Sequence, residues 1–315
     1  LNDFYGRSLS SGLAVSSGSV RDGQQSDVAR PFRVQVGSLH RRVIIMIDIT
    51  GLEKTFNAGT INETHALQDV NLRIRVGEFV TIIGTNGSGK STLLNAIAGS
   101  FMPDKGRIKI DGVEVTQQRD FQRAFYIARV FQNPFTGTAP QMTIAENLHM
   151  AFLRNKRCHP VLGLNRGQID RYREEVRMLE MQLEGRMDNL IGSLSGGQRQ
   201  ALTLLMAAIA HPKVLLLDEH TAALDPKSAA QVIKLTRQFI EREKLTAVMV
   251  THSMQQALDL GDRTIMMHKG RIIEDISREE KRRLSVDDLL DKFAELRKSE
   301  QLTDDVLAAL RREYV

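Results

Sequence analysis

The sequence predicts an α/β fold, a largely parallel sheet flanked by helices, and three observations carry that expectation. The apolar run 79–83 leads into a glycine-rich turn and then into a helix with Leu93, Leu94 and Ile97 on one face. A second apolar run, 214–217, ends in two adjacent carboxylates, Asp218 and Glu219. From Met46 onward strand-like and helix-like patterns alternate, and between about 134 and 190 the period is helical throughout.

Residues 1–45 stand apart. They are rich in Ser and Gly and hold six Arg and three Asp but neither Lys nor Glu. Such a stretch has no core-forming pattern and reads as a disordered or non-native extension, dispensable to the rest. Its Arg-rich, acid-poor composition also suits an organelle transit peptide, but no amphipathic period runs through it and the chain opens on Leu1, which makes Met46 the expected start.

The first strand is expected at 46–50. Asp111 and Gly112, set between Ile108 and Ile110 on one side and Val113 and Val115 on the other, predict a tight hairpin, so the early part is a β-rich lobe. Thr143 and Glu146 form a capping box that starts a helix with Ile144, Leu148 and Phe152 on one side, and Tyr172, Val176, Leu179 and Leu183 mark a second helix. The β/α pattern returns with the strand at 214–217, a helix at 229–243 and a strand at 246–250. Beyond Ser277 comes a charged tail in which Ser285 caps a helix carrying Leu289, Phe293 and Leu296, an accessory surface with no part in the chemistry. The expected divisions are 1–45, a catalytic domain at 46–275 with its helical insert near 134–190, and a helical tail at 276–315.

Bulk properties exclude several classes. The 315 residues suffice for a sizeable core, yet no apolar run approaches the eighteen or so residues a membrane span needs. The one cysteine, Cys158, has no partner for an internal disulfide and no metal-ligand spacing around it, which places the chain in the cytosol by default. A net charge of +5 with few aromatic residues gives no expectation of a nucleic-acid partner.

Gly84, Thr85, Asn86, Gly87, Ser88, Gly89, Lys90 and Ser91, followed by Thr92, match a phosphate-binding loop in its proper context between a strand and a helix. Glycines let main-chain N–H groups wrap the β- and γ-phosphates, Lys90 adds a point charge, and Ser91 offers a hydroxyl to Mg2+. Asp218 would then orient Mg2+ and Glu219 polarise the attacking water. Ser195, Gly196, Gly197 and Gln198 form a turn at a helix start, where free N–H groups and a hydroxyl suit a γ-phosphate.

Placed between the loop and the Asp218–Glu219 pair, this last turn resembles the signature of the ATP-binding cassette family, a P-loop NTPase fold with a β-rich lobe, a RecA-like core and an inserted all-α subdomain. The resemblance covers roughly 46–275. It implies further roles: Gln132 resembles the loop glutamine that reaches Mg2+ and the water, His252 the switch histidine on the γ-phosphate, Asp225 the loop crossing to the partner, and Phe56 the ring stacked on adenine. Catalysis is thus expected from Glu219, His252 and Gln132, with Ser91, Gln132 and Asp218 about Mg2+. Two positions depart from the family pattern: His220 stands where a proline is common, and Ala222 replaces a frequent serine.

The family implies ATP bound between two cassettes, each Ser195 acting on nucleotide held by the other subunit's Lys90 and Ser91. It also implies permease subunits at the cytoplasmic face of the membrane, with the helical insert beside Gln132 passing on the motion. The stretch from Leu215 to Pro226 resembles importers of amino-acid-like solutes, aromatic ones included, which brings an extracytoplasmic solute-binding protein among the expected partners. Chromosome-maintenance ATPases need a long heptad insertion where about sixty residues stand here, and translation-associated relatives carry two cassettes. A stand-alone cassette ATPase of cofactor assembly remains the competing reading.

Overall fold

A computed structural model describes residues 44–154 and 163–298, with side chains to 293. The extension at 1–43, Cys158 and the side chain of Leu296 lie outside the described residues. In chain order the elements are β1 (Ile45–Phe56), β2 (Thr64–Arg75), β3 (Phe79–Gly84), α1 (Lys90–Ala98), β4 (Lys105–Ile110), β5 (Val113–Glu114), α2 (Asp120–Arg123), β6 (Ile127–Val130), α3 (Ile144–Leu153) and α4 (Arg166–Arg177). There follow α5 (Gly196–Ile209), β7 (Val214–Asp218), α6 (Pro226–Glu243), β8 (Thr246–Val250), α7 (Met254–Asp259), β9 (Arg263–His268), β10 (Arg271–Ile276), α8 (Arg278–Lys281) and α9 (Val286–Lys298).

Two sheets result. An antiparallel sheet runs β2-β1-β4-β5, and a second runs β10-β9-β3-β8-β7-β6 with every pair parallel except β10 on β9. Parallel neighbours need crossovers, and the helices that supply them cover both faces, so the central strands β7 and β8 are buried runs in which only Asp218 and Thr246 are polar. The period of two divides each strand between two cores. Val214, Leu216, Val248 and Val250 pack with α1 and the antiparallel sheet, whereas Leu215, Leu217, Ala247 and Met249 pack with α3, α4, α5 and α6. Helix α5 is buried almost all round, its polar Arg199, Gln200 and Thr203 included.

Local signals hold where a named side chain enforces them. Asp111 and Gly112 take φ of 50° and 77°, the double left-handed turn a two-residue hairpin requires. Thr143 caps α3 by accepting from Glu146 N while Glu146 reaches back to Thr143 N. Others need correction. Strand β1 opens at Ile45, which pairs with Arg75, one residue before Met46. The second helix of the insert stops at Arg177; Glu180 and Gln182 adopt left-handed φ of 56° and 55°, so Leu179 and Leu183 are buried from a loop and not from a helix face.

The tail helix α9 packs inward. Leu289 and Phe293 join Met254, Ala257, Met266, Ile276 and Ile83, the last being the residue directly before the glycine-rich turn. Ser285 caps this helix in a reciprocal pair with Asp288.

His220 is fully buried. Thr236 Oγ1 donates to Val232 O at 2.8 Å, so it accepts from His220 Nε2–H at 3.0 Å, tying the end of β7 to α6. Burial pushes the His220 imidazole down to about 4. The unfolded chain, with an ordinary histidine near 6.5, therefore binds the extra proton between about pH 6.5 and 4, and stability falls on acidification through that window. The expected loss from this one group between pH 7 and pH 5 is about 2 kcal/mol. Melting temperatures at the two pH values should show a distinctly smaller drop for His220→Gln than for the native chain; equal drops would exclude His220 as the cause.

Candidate functional site

Strands β3, β8, β7 and β6 are neighbours and parallel, so their carboxyl ends meet along one edge of the sheet. That edge, outside the strand ends, is where open α/β sheets bind ligands. β3 delivers the glycine-rich turn there, β7 delivers Asp218 and Glu219, β8 leads to His252, and β6 leads to Gln132.

The turn is glycine-rich for steric reasons that can be named. A Cβ on Gly84 would stand 2.3 Å from Met267 O, and one on Gly89, at φ +98°, would stand 2.5 Å from Ala66 O. Neighbouring main chain thus crowds the loop from behind, while Asn86 and Gly87 face solvent. Lys90 is buried, and its ammonium donates to Gly84 O at 2.6 Å and Thr85 O at 3.1 Å, holding a positive charge beneath the loop at the amino end of α1. Thr92 follows in the first turn of α1 and is half-buried.

Ser91 Oγ donates to Asp218 Oδ1 at 3.4 Å. Glu219, at a left-handed φ of 45°, turns its carboxylate to accept from His252 Nε2 at 2.5 Å, while its own N–H donates to Val250 O. Gln132 is exposed and stands two residues beyond Val130, the end of β6, whose last pairing is with Leu217 of β7. Ser91, Asp218 and Gln132 offer oxygen donors alone, the set a hard divalent cation such as Mg2+ takes when phosphate oxygens complete its shell.

Phe56 ends β1 half-buried. It meets Phe101 edge-on at 5.4 Å, with the Lys54 ammonium 5.5 Å from its ring.

The signature turn occupies a different layer, at the amino end of α5. Ser195 Oγ accepts from Gln198 N, and Gln198 Oε1 accepts from Ser195 N, each at 3.3 Å. Ser195 and Gly196 are exposed. Gly197 is glycine because a Cβ would meet Ser228 Oγ at 2.5 Å, where the starts of α5 and α6 touch. Asp225 caps α6 by accepting from Ser228 N at 3.0 Å, and these Ser228 hydrogen bonds hold its carboxyl below the usual range.

Two arginines escape a motif reading. Arg199, one turn beyond Ser195, is buried, donates to the carbonyls of Ile191, Gly192 and Leu194, and lies 3.8 Å from the Phe135 ring centroid, fixing the approach to the signature. Arg129 donates to Asp218 Oδ2 at 2.7 Å and Asn95 Oδ1 at 2.6 Å. Only Arg129 carried a signal in the sequence, a cation inside an otherwise apolar strand; Arg199 stands between Gln198 and Gln200.

Comparison with known proteins agrees with this geometry. The profile of the ABC transporter family matches residues 67–222. The chain is 41% identical over 251 residues to the tyrosine transport ATP-binding protein of Clostridioides difficile (strain R20291), covering 79% of this chain and 98% of that protein. It is 38% identical over 213 residues to a probable sulfate/thiosulfate import ATP-binding protein of Chlorella vulgaris, covering 66% and 84% of the two. Among solved structures, the dimeric post-hydrolysis state of an ATP-binding cassette bound to ADP and Pi aligns with a TM-score of 0.63 and 31% identity, over 74% of this chain and 99% of the other. The phosphate loop, the paired acids at the end of β7, the exposed signature turn and these likenesses lead to one statement: the chain belongs to the ABC transporter family and is its ATP-binding, ATP-hydrolysing cassette.

Proposed function

We propose that this chain powers import of an amino-acid-sized solute, aromatic by preference, as one of two cassettes that close head to tail on ATP beneath a membrane permease. The observation that carries the catalytic part is the Glu219–His252 contact at the same sheet edge as Lys90, Ser91 and Asp218. The signature turn stands solvent-exposed on another layer, as a half-site for a partner's nucleotide must. The solved relative is dimeric, and the Clostridioides relative is named for tyrosine transport, which agrees with the aromatic solute suggested by 215–226.

In this reading the main-chain N–H groups of Gly87, Ser88, Gly89 and Lys90, with the Lys90 ammonium, hold the β- and γ-phosphates, and Phe56 stacks on adenine. Mg2+, held by Ser91, Asp218 and Gln132, would neutralise phosphate charge when bound. Glu219 accepts the proton of a water attacking the γ-phosphorus, the β–γ bridge bond breaks, and ADP and inorganic phosphate leave. His252 holds the Glu219 carboxylate aimed through Nε2–H and turns that same donor to a γ-phosphate oxygen when the nucleotide is in place; the partner subunit's Ser195, with Gly196, Gly197 and Gln198, closes over that phosphate, and Asp225 crosses the interface.

No helix of the described residues is long and apolar enough to cross a membrane, so attachment at the cytoplasmic face falls to a permease, with an extracytoplasmic solute-binding protein supplying the solute. A groove of about 510 Å³ beside the strand leading to Gln132 supports the permease contact. Ala124, Ile127, Phe131, Met150, Ala151 and Met206 line it, and Phe121 and Phe125 on either side of Ala124 are 67% and 63% exposed. Affinity capture of the native chain from its own cells in mild detergent should recover it in a complex with permease subunits. Met150→Arg, placing a charge in the groove, is expected to release the cassette from that complex and to leave its basal ATPase rate within about twofold, since Met150 takes part in none of the nucleotide-site hydrogen bonds described above. Recovery of the native chain with soluble assembly proteins and no permease would favour the cofactor-assembly reading.

A further inference from the structure

Arg129 is a charged residue in β6, between the apolar Ala128 and Val130, and its surroundings set it apart from Arg123, Arg154 and Arg199; Arg263, equally shielded, also meets carboxylates, but those of Glu78 and Asp275, with Glu78 just before the opening of β3. Arg123, Arg154 and Arg199 direct their guanidinium donors to main-chain carbonyls, the ordinary structural use of a buried arginine. Arg129 gives one N–H to the carboxylate of Asp218 on β7 and another to the side-chain oxygen of Asn95 on α1, with its guanidinium 4.6 Å from the Phe131 ring centroid. Its buried Nε has no hydrogen-bond partner, so the side chain is placed for its two terminal nitrogens. Both members of the ion pair are largely shielded, 16% and 15% exposed, where a charge-assisted hydrogen bond is strong and its geometry well fixed.

The consequence is directional. With Oδ2 of Asp218 fixed by Arg129, Oδ1 is the oxygen left facing Ser91, and the same guanidinium is tied by Asn95 to α1, the helix on which Ser91 rides. We propose that Arg129 is a positioning residue for Mg2+·ATP: it sets the rotamer of Asp218 and its register against Ser91, so that the two oxygens present themselves to the cation together. This rests on the reading of Asp218 and Ser91 as the cation's protein partners. Outer partners of this kind are commonly worth about 10- to 100-fold in metal affinity.

The test measures nucleotide affinity and leaves turnover aside. A fluorescent ATP analogue is titrated into the full chain with EDTA and again with excess Mg2+, and the ratio of the two dissociation constants is the gain due to Mg2+. Arg129→Gln is expected to lower that gain about tenfold while leaving the affinity in EDTA within about twofold, because the loop amides and Lys90 are untouched. Arg129→Lys, which keeps the charge but lacks the fork to span Asp218 and Asn95, should fall between. An unchanged gain in folded Arg129→Gln, or an equal fall with and without Mg2+, would overturn the proposal. Asp218→Asn run alongside separates the failures: if it too keeps the full gain, the reading of the Mg2+ partners is wrong, and if it alone loses the gain, only the role of Arg129 is. Should Arg129→Gln not fold, Asn95→Ala removes one anchor of the guanidinium and is expected to lower the gain about threefold; no change there would count equally against it.

Discussion

Glu219→Gln is expected to bind ATP as the native chain does and to hydrolyse it about 10²- to 10⁴-fold more slowly, the usual range for loss of a general base. The substitution keeps the shape of the side chain and a hydrogen-bond acceptor for His252 Nε2, which approaches the carboxylate at 2.5 Å, and removes only charge and basicity. Folding should be spared, since the φ of 45° at this position is already borne by a residue with a Cβ and the main-chain N–H keeps its bond to Val250 O. Single-turnover phosphate release would measure the effect, and a native rate would remove Glu219 from the chemistry.

Lys90→Ala should fail one step earlier, with ATP affinity reduced by about 100-fold or more. The ammonium is the one cation held within the loop's own carbonyls, and its hydrogen bonds to Gly84 O and Thr85 O show it drawn into the cradle. Its removal deletes the charge that meets the phosphates and leaves those two carbonyls without that donor; two charge-assisted contacts at about 1.5 kcal/mol each already amount to that factor. Equilibrium titration with a fluorescent ATP analogue separates the variants: Glu219→Gln binds and does not turn over, whereas Lys90→Ala scarcely binds. Near-native affinity in Lys90→Ala would mean that the loop amides alone hold the nucleotide.

How far the sequence reveals this site depends on the range of the interactions involved. The phosphate loop, the β7 acids and the signature turn were legible because each combines a residue type with a local structure that demands it: glycine where main chain crowds in at Gly84 and Gly89, a capping serine where α5 begins. The two faces of the parallel sheet could likewise be divided by alternation alone, as Leu215 and Leu216 show by packing into different cores. The pairing of Glu219 with His252 joins residues 33 positions apart on adjacent strands and needs the strand order, which spacing does not provide. Arg129 and Asn95 lie 34 residues apart, and Arg129 and Asp218 lie 89 apart; no window of sequence contains that cluster. The early end of α4 was missed for a local reason, since Glu180 and Gln182 are good helix formers that adopt left-handed φ while Leu179 and Leu183 stay buried. His220 and the inward-packed α9 show a further case: a polar residue beside the acids and a charged tail both carry structural weight that composition conceals.

The central claim is that one chain holds two half-sites, so that ATP is enclosed between the Lys90–Ser91 loop of one copy and the Ser195 turn of another. Light scattering on Glu219→Gln separated by size, with ATP and Mg2+ present, tests it most directly because the nucleotide cannot be discharged during the run. A mass twice that of one chain is predicted, falling back to one chain when ATP is omitted or when Ser195 is also replaced by Arg. A Glu219→Gln protein that is saturated with ATP, inactive and still the mass of a single chain would contradict it.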